Sequence, residues 1–441
     1  MKYEIILNYI KDEISKGKIK SGDKLPSIRN LCDKFQCSKI TVSKAYDLLE
    51  KEHIAYSIPK SGHYLIKNNI NLNNSSNKNI DFSISAPDKR VLPYDEFQHC
   101  LNEAMELYKE SLLFNSNPQG LENLIYVILK QLQDYQVFTE KQCIFITAGS
   151  QQAINILTMM EFPNGKENVL IEQPTYYGII ESLKLNNKKA ICICRKENGI
   201  NFDELEKILK YDNIKFFYTI PRFHNPTGFS YSNDEKKQIL KLCQKYDVYI
   251  VEDDYLADLE TNKKSDPIYA LDSFSRVIYL KSYSKILLQG LRISAAVLPR
   301  FLTKTFEKYK RWSDLNTSIL SQGTLEIYIK SGIFKEHMKR LRKVYSNRMS
   351  YLNKIAKSFN NSDIVWHIPN SGFFASFEIN NNIDIKGFIK NLSERNVLLE
   401  DPNIFYLNNC INDKLFRLSL SRVNNSEIKR GISIIADEIS K

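Results

Sequence analysis

At 441 residues, with 43% hydrophobic and 26% charged side chains, the chain is too long for one core and too apolar to stay unfolded, so two or three globular domains are expected. No run approaches the ~18 consecutive apolar residues of a spanning helix, and Asp12 and Glu13 interrupt any signal-peptide core. No transmembrane segment and a cytoplasmic location are therefore expected. The net charge of +11 favours acidic partners, and residues 1–67 hold 12 lysines and one arginine against eight acids. The eight cysteines form no CxxC pair, so no metal site is expected and the thiols read as small, reduced core residues.

Ile5, Ile6, Tyr9, Ile10 and Ile14 recur at helical spacing up to Gly17 and predict a first helix with one apolar face. Ser27 can cap a second helix and Ser38 a third, whose inward face is Val42, Ala45, Tyr46 and Leu49. Residues 54–58 and 63–66 then flank Pro59-Lys60-Ser61-Gly62, a hairpin signal. Three short helices and a two-stranded ribbon predict a winged helix-turn-helix, in which the third helix enters the major groove of duplex DNA. Lys39, Thr41, Ser43 and Lys44 are left to face outward beside the Ser38 cap. Arg29 is the only arginine of this head and can fork onto a phosphate or a guanine. A protein-interaction module with a solvated basic face would show the same spacing.

The motif decides between them. Gly22-Asp23-Lys24-Leu25-Pro26-Ser27-Ile28-Arg29, then Ser38 to Tyr46, then Ser61-Gly62-His63-Tyr64 resembles the GntR-type DNA-binding domain over nearly all of residues 1–67. The resemblance implies operator contacts from Arg29, Ser38, Lys39, Thr41, Ser43, Lys44 and His63. Lys39 stands where that family usually has arginine, His53 where glycine is common and His63 where threonine is common. A lysine at 39 keeps a phosphate contact but loses bidentate reading of guanine.

Residues 68–80 are rich in asparagine and serine and lack periodicity, the composition of a flexible linker. Beyond it, apolar runs at 143–147, 169–171, 190–194, 216–220, 248–251, 277–280 and 293–298 alternate with helical patterns such as 234–246. This alternation predicts an α/β domain with a mostly parallel seven-stranded sheet covered on both faces, its ligand at the carboxyl ends of the strands.

Five signals fall at such ends. Ala148-Gly149-Ser150-Gln151 opens a helix and can hold a phosphate. Tyr176 can stack on a planar ring, and Asn225 can donate to a phenolate oxygen. Glu252-Asp253-Asp254-Tyr255 crowds three carboxylates at the end of an apolar strand, so one needs a cationic partner. Ser282-Tyr283-Ser284-Lys285 offers an amine that can condense with an aldehyde, with Arg292 seven residues on to clamp a phosphate.

In this order the five resemble fold type I aminotransferases over about residues 81–441, with a large part at about 115–305 and a small α+β part at about 306–441 plus 81–114. The resemblance implies pyridoxal 5′-phosphate on Lys285 and Asp253 at the ring nitrogen, chosen over Asp254 by similarity. It also implies Asn225 and Tyr255 at the phenolic oxygen, Ser150, Gln151, Ser282 and Arg292 at the phosphate, and Tyr176 on the ring. Arg417, between Phe416 and Leu418, matches the arginine that binds a substrate carboxylate, against the alternative of a structural ion pair. A GntR-type head, a linker and this domain together resemble the MocR subfamily of regulators. That resemblance implies a head-to-tail homodimer that binds operator DNA and senses the cofactor or an amino compound reacting with it. Residual transaminase activity is compatible with that reading, and a working aminotransferase with an accessory head is the alternative. A vestigial site is disfavoured by its complete residue set.

Overall fold

The computed structural model describes residues 2–19, 23–51, 54–58, 62–65, 79–114, 117–262, 264–359, 363–380, 384–407 and 415–440. The chain divides into two compact units, Met1–Lys78 and Asn79–Lys441. Most of the stretch expected as a linker, His53 and the hairpin turn at 59–61 lie outside the described residues.

The first unit has three helices, α1 (Lys2–Ser15), α2 (Ile28–Phe35) and α3 (Lys39–Lys51), then the antiparallel strands β1 (Ala55–Ile58) and β2 (Gly62–Leu65). Both expected caps form. The Ser27 hydroxyl accepts from the Asn30 N–H at 3.1 Å, and the Ser38 hydroxyl from the Thr41 N–H at 3.3 Å. Val42, Ala45, Tyr46 and Leu49 are fully buried against Ile6, Ile10, Leu25, Leu31, Ala55 and Leu65. The apolar face of α1 is rotated from the one its periodicity suggested. Ile5 is 58% exposed, while Tyr3 and Leu7 pack against the core beside Ile6 and Ile10.

The second unit begins with β3 (Ile80–Asp81) and continues with the sheet strands β4 (Ile144–Thr147), β5 (Asn168–Gln173), β6 (Ala190–Lys196), β7 (Gly199–Ile200), β8 (Ile214–Thr219), β9 (Tyr249–Asp253), β10 (Val277–Ser282) and β11 (Ser294–Val297). They order as β4-β11-β10-β9-β8-β5-β6-β7. All seven expected strands are present, joined by a two-residue eighth, β7, antiparallel to β6. β11 runs antiparallel to β4 and β10, and the pairs from β10 through β6 are parallel.

Burial on both faces explains the near-continuous apolar strands. Phe216 and Tyr218 of β8 enter one core and Phe217 the other; Tyr249 and Val251 of β9 likewise oppose Ile250. Not every cysteine is a core residue. Cys100, Cys143 and Cys243 are buried, but Cys194 is exposed because β6 lies next to the sheet edge, where only short β7 flanks it.

A smaller layer follows: β12 (Ile364–His367), β13 (Phe374–Ile379) and β15 (Leu415–Ser419) form an antiparallel sheet. β14 (Val397–Leu398) pairs in parallel with β3. Helices Ile333–Ser358, Ile385–Glu394 and Asn425–Ile439 enclose this layer's core. Ile80 and Phe82 join that core, whereas Phe97 and Cys100 join the core of the large sheet. No helix among the described residues is long and apolar enough to cross a membrane.

Candidate functional site

The parallel strands end on one side of the large sheet, and their following loops enclose a cavity. Ser150, Gln151, Tyr176, Ile220, Asn225, Asp253, Tyr255, Ser282, Ser284, Lys285, Gln289 and Arg292 line it. Every residue expected at a cofactor is therefore in one place. Register explains the convergence: Thr147 pairs with Ser294, Ser294 with Ser282, and Leu280 with Asp253.

Strand alternation sorts the three crowded carboxylates. Glu252 accepts the backbone N–H groups of Ile268 at 2.9 Å and Tyr269 at 2.8 Å. Asp254 pairs with Arg222, whose Nε donates at 3.1 Å, and accepts the Tyr279 hydroxyl at 2.8 Å. Asp253, between them, faces the cavity. Its Oδ2 accepts the Tyr218 hydroxyl at 2.7 Å, and its buried Oδ1 has no hydrogen-bond partner among the described residues. Burial raises the Asp253 carboxyl to about 7. A nearby cation would restore the charged form.

The Lys285 amine donates to the Ser85 carbonyl at 2.7 Å and reaches the Ser85 hydroxyl at 2.8 Å. Burial, with Arg417 next, lowers it to about 8, so roughly a tenth of the amine is neutral at pH 7. Gly149, at φ +83°, precedes the helix Ser150–Met159, and a Cβ there would stand 2.5 Å from Arg292 Nη2. Arg292 donates to the Ala148 carbonyl at 3.2 Å and so lies across that helix N-terminus. Gly178 serves a different close approach. A Cβ there would meet Gln151 Oε1 at 2.2 Å and the Tyr176 ring at 2.4 Å.

Asn225 accepts from Arg417 Nη1 at 3.0 Å, and the Tyr255 hydroxyl donates to the Phe223 carbonyl at 2.6 Å. Beneath this loop lies a buried network. Glu172 accepts from Arg195 at 2.9 Å, the Thr219 hydroxyl at 2.7 Å and the Tyr231 hydroxyl at 2.6 Å, with His224 Nε2 at 3.3 Å. Burial opposes its charge, but Arg195 and these donors hold the Glu172 carboxyl far below the usual range. Arg417 is buried between Phe374 and Phe405, whose ring centroids lie 4.7 and 4.8 Å from its guanidinium.

In the first unit, Arg29, Ser38, Lys39 and Lys44 are exposed, and Thr41 and Ser43 are half-buried. His63 has partners within the head: it stacks on Tyr46 with centroids 4.0 Å apart, and its Nε2 lies 3.6 Å from Glu50. Ile40, apolar and 81% exposed, sits among the outward residues of α3.

The family model of bacterial regulatory proteins, gntR family, matches residues 2–65, and that of aminotransferase class I and II matches residues 79–435. An uncharacterized HTH-type transcriptional regulator, YcxD of Bacillus subtilis (strain 168), is 41% identical over 442 residues, covering 99% of this chain and 100% of its own. The chain belongs to the gntR and aminotransferase class I and II families, in the MocR-type arrangement. NorG of Staphylococcus aureus (strain USA300), an HTH-type transcriptional regulator, is 23% identical over 95% of this regulator and 100% of its own length. Among solved structures, a Pyrococcus horikoshii kynurenine aminotransferase in complex with PMP superposes with a TM-score of 0.76 at 28% identity, over 82% of the regulator and 91% of that chain. The regulator is thus a DNA-binding transcription factor with a fold type I aminotransferase unit.

Sequence reasoning missed several of the regulator's site residues. Ser85 lies 200 positions from Lys285 and carries no motif. Tyr218 hides within an apolar strand. Glu172, Arg195 and His224 are each unremarkable in sequence, although a charged residue inside a buried strand such as β5 is itself a signal that a partner must exist.

Proposed function

We propose that the second unit holds pyridoxal 5′-phosphate in this cavity and that the regulator changes its grip on operator DNA in response to the cofactor or to an amino compound reacting with it. The observation that carries the reading is the unpartnered Oδ1 of buried Asp253, in the same cavity as the Lys285 amine and Arg292. A protonated pyridine nitrogen supplies the cation that this carboxylate lacks. Lys285 carries the cofactor through its amine, leaving Ser85 to do so. Ser150, Gln151, Ser282 and Arg292 take the phosphate, and Tyr176 covers the ring. Asn225 serves the phenolic oxygen, joined by Tyr255 once its hydroxyl turns from the Phe223 carbonyl. When bound, the cofactor supplies an electrophilic carbon and an electron-withdrawing ring.

Arg417 anchors the carboxylate of the amino compound. Its Nε is buried and has no hydrogen-bond partner among the described residues, so the planar fork keeps capacity for a ligand. In the first unit, Arg29, Ser38, Lys39, Thr41, Ser43 and Lys44 meet the duplex, and His63 acts from the wing. The reading includes a head-to-tail homodimer working in the cytoplasm.

The experiment is reconstitution followed by borohydride reduction and peptide mapping. The wild type is expected to turn yellow and to keep the cofactor on Lys285, and Lys285→Ala to fold but stay colourless. A wild type that remains colourless with excess cofactor overturns the proposal. Because Lys285, Asp253, Asn225 and Arg417 converge, a working aminotransferase is the second reading. Turnover with amino donors and 2-oxoglutarate, unlinked to any change in DNA binding, would favour it.

A further inference from the structure

Buried arginines in this unit are otherwise closely paired. Arg195 donates to Glu172 at 2.9 Å, and Arg222 Nε donates to Asp254 at 3.1 Å. Arg417 is as deeply buried, at 2% exposure, but its counter-ion stands off. Glu400 Oε2 is 3.6 Å from Arg417 Nη2, beyond hydrogen-bond reach, and the Glu400 side chain is 36% exposed. The other Arg417 contacts are neutral: Nη1 donates to Asn225 Oδ1 at 3.0 Å and Nη2 to the Ser83 carbonyl at 2.6 Å.

The neighbouring acids are occupied. Asp81 accepts the Ser83 N–H at 2.9 Å and the Ile84 N–H at 3.2 Å, and Asp401 accepts the Asn403 N–H at 2.9 Å. Glu400 has no such hydrogen bond among the described residues, and it sits just past β14, whose partner β3 runs on to Ser83. A carboxylate that served only to stabilise a buried guanidinium would be expected to pair bidentately, because a loose pair recovers little of the desolvation cost.

We propose that Glu400 is an internal stand-in for the ligand carboxylate. It balances Arg417 when no ligand is present and must swing toward solvent when an amino acid docks its own carboxylate on the guanidinium. The two carboxylates cannot share the site at this range without repulsion, so expelling Glu400 sets a threshold on affinity. The threshold applies to carboxylate-bearing ligands and leaves simple amines untouched. This inference rests on the reading of Arg417 as the effector's anchor.

The test titrates the cofactor-loaded full-length protein with a panel of α- and ω-amino acids and with matched amines lacking the carboxylate. Binding is read by cofactor absorbance and, independently, by the shift in thermal midpoint. Glu400→Gln keeps shape and removes charge; it is expected to tighten amino-acid binding on the order of tenfold and to leave amine binding unchanged. Glu400→Asp, which draws the charge back by one methylene, is expected to give a smaller gain of the same selectivity. Wild-type binding that is unchanged in both variants, or an equal gain for amines, overturns the stand-in role while leaving Arg417 as anchor. Weaker binding in Glu400→Gln also overturns it and makes Glu400 a contact for the ligand's ammonium group. If no amino acid alters either readout in any of the three proteins, the effector reading falls, and the stand-in role falls with it.

Discussion

Asp253 carries a carboxyl whose burial is answered by one phenol, and this has a sign that can be measured. Its ionisation lies raised at about 7 in the folded chain against the ordinary value of 3.8. The native state therefore binds the extra proton between these values, and stability falls as pH rises from about 4 to about 7. Asp253→Asn removes that component. The ligand-free variant is expected to overtake the wild type by about 2–4 kcal/mol at pH 8 in urea unfolding, and to match it near pH 3. Glu252, also raised by burial to about 7, remains in both proteins, so the difference isolates Asp253. The same variant should bind pyridoxal 5′-phosphate more weakly; unaltered affinity would remove Asp253 from the ring nitrogen. Gly178→Ala tests the cavity from another side, because a Cβ there collides with Gln151 and Tyr176. It is expected to lower cofactor affinity by at least about tenfold, roughly 1.4 kcal/mol, in an absorbance titration.

At the scale of elements, the helix Ser150–Met159 is fixed at both ends. Its N-terminus meets the cavity, and at its other end the buried Lys215 donates to the carbonyls of Thr158 at 2.9 Å, Met160 at 3.2 Å and Leu157 at 3.3 Å. Lys215→Ala leaves those carbonyls without their cation and opens a cavity, so a loss of about 3 kcal/mol is expected by denaturant titration. Helix α3 depends on its cap in the same way. Ser38→Ala is expected to cost the head about 1 kcal/mol. Lys39→Ala, on the exposed side, is expected to leave stability unchanged and to flatten the salt dependence of operator binding by about one unit of slope. An unchanged slope would take Lys39 off the phosphate backbone.

For the whole molecule, regulation requires a coupling free energy between the cavity and the DNA-binding head, and such coupling is reciprocal. If pyridoxal 5′-phosphate or an amino acid changes operator affinity by some factor, saturating operator DNA must change the affinity for that ligand by the same factor. Paired titrations on the full-length protein are expected to agree. A ligand that fills the cavity without moving operator affinity would mark the second unit as catalytic instead.

The residues of this chain say unequally much about it. Short continuous apolar runs specified the seven major strands and a period of 3.6 the inward face of α3, because burial on both sheet faces, or on one helix face, imposes those patterns locally. The asparagine-rich break announced two units by composition alone. Motif order brought Ser150, Tyr176, Asn225, Asp253, Lys285 and Arg292 to one list, since strand ends in a parallel sheet all face one way. Other features depend on contacts between distant segments. Asp253 and Asp254 are adjacent and chemically alike; only the alternation of β9, with Arg222 on one side and the cavity on the other, separates them. Ser85 reaches Lys285, and Glu400 reaches Arg417, because the pairing of β3 with β14 carries both segments to the cavity. His63 stacks on Tyr46 because β2 returns to pack against α3. Local periodicity is written in neighbouring residues, whereas partners for buried charge come from wherever the packed chain returns, and that was decided by the tertiary structure.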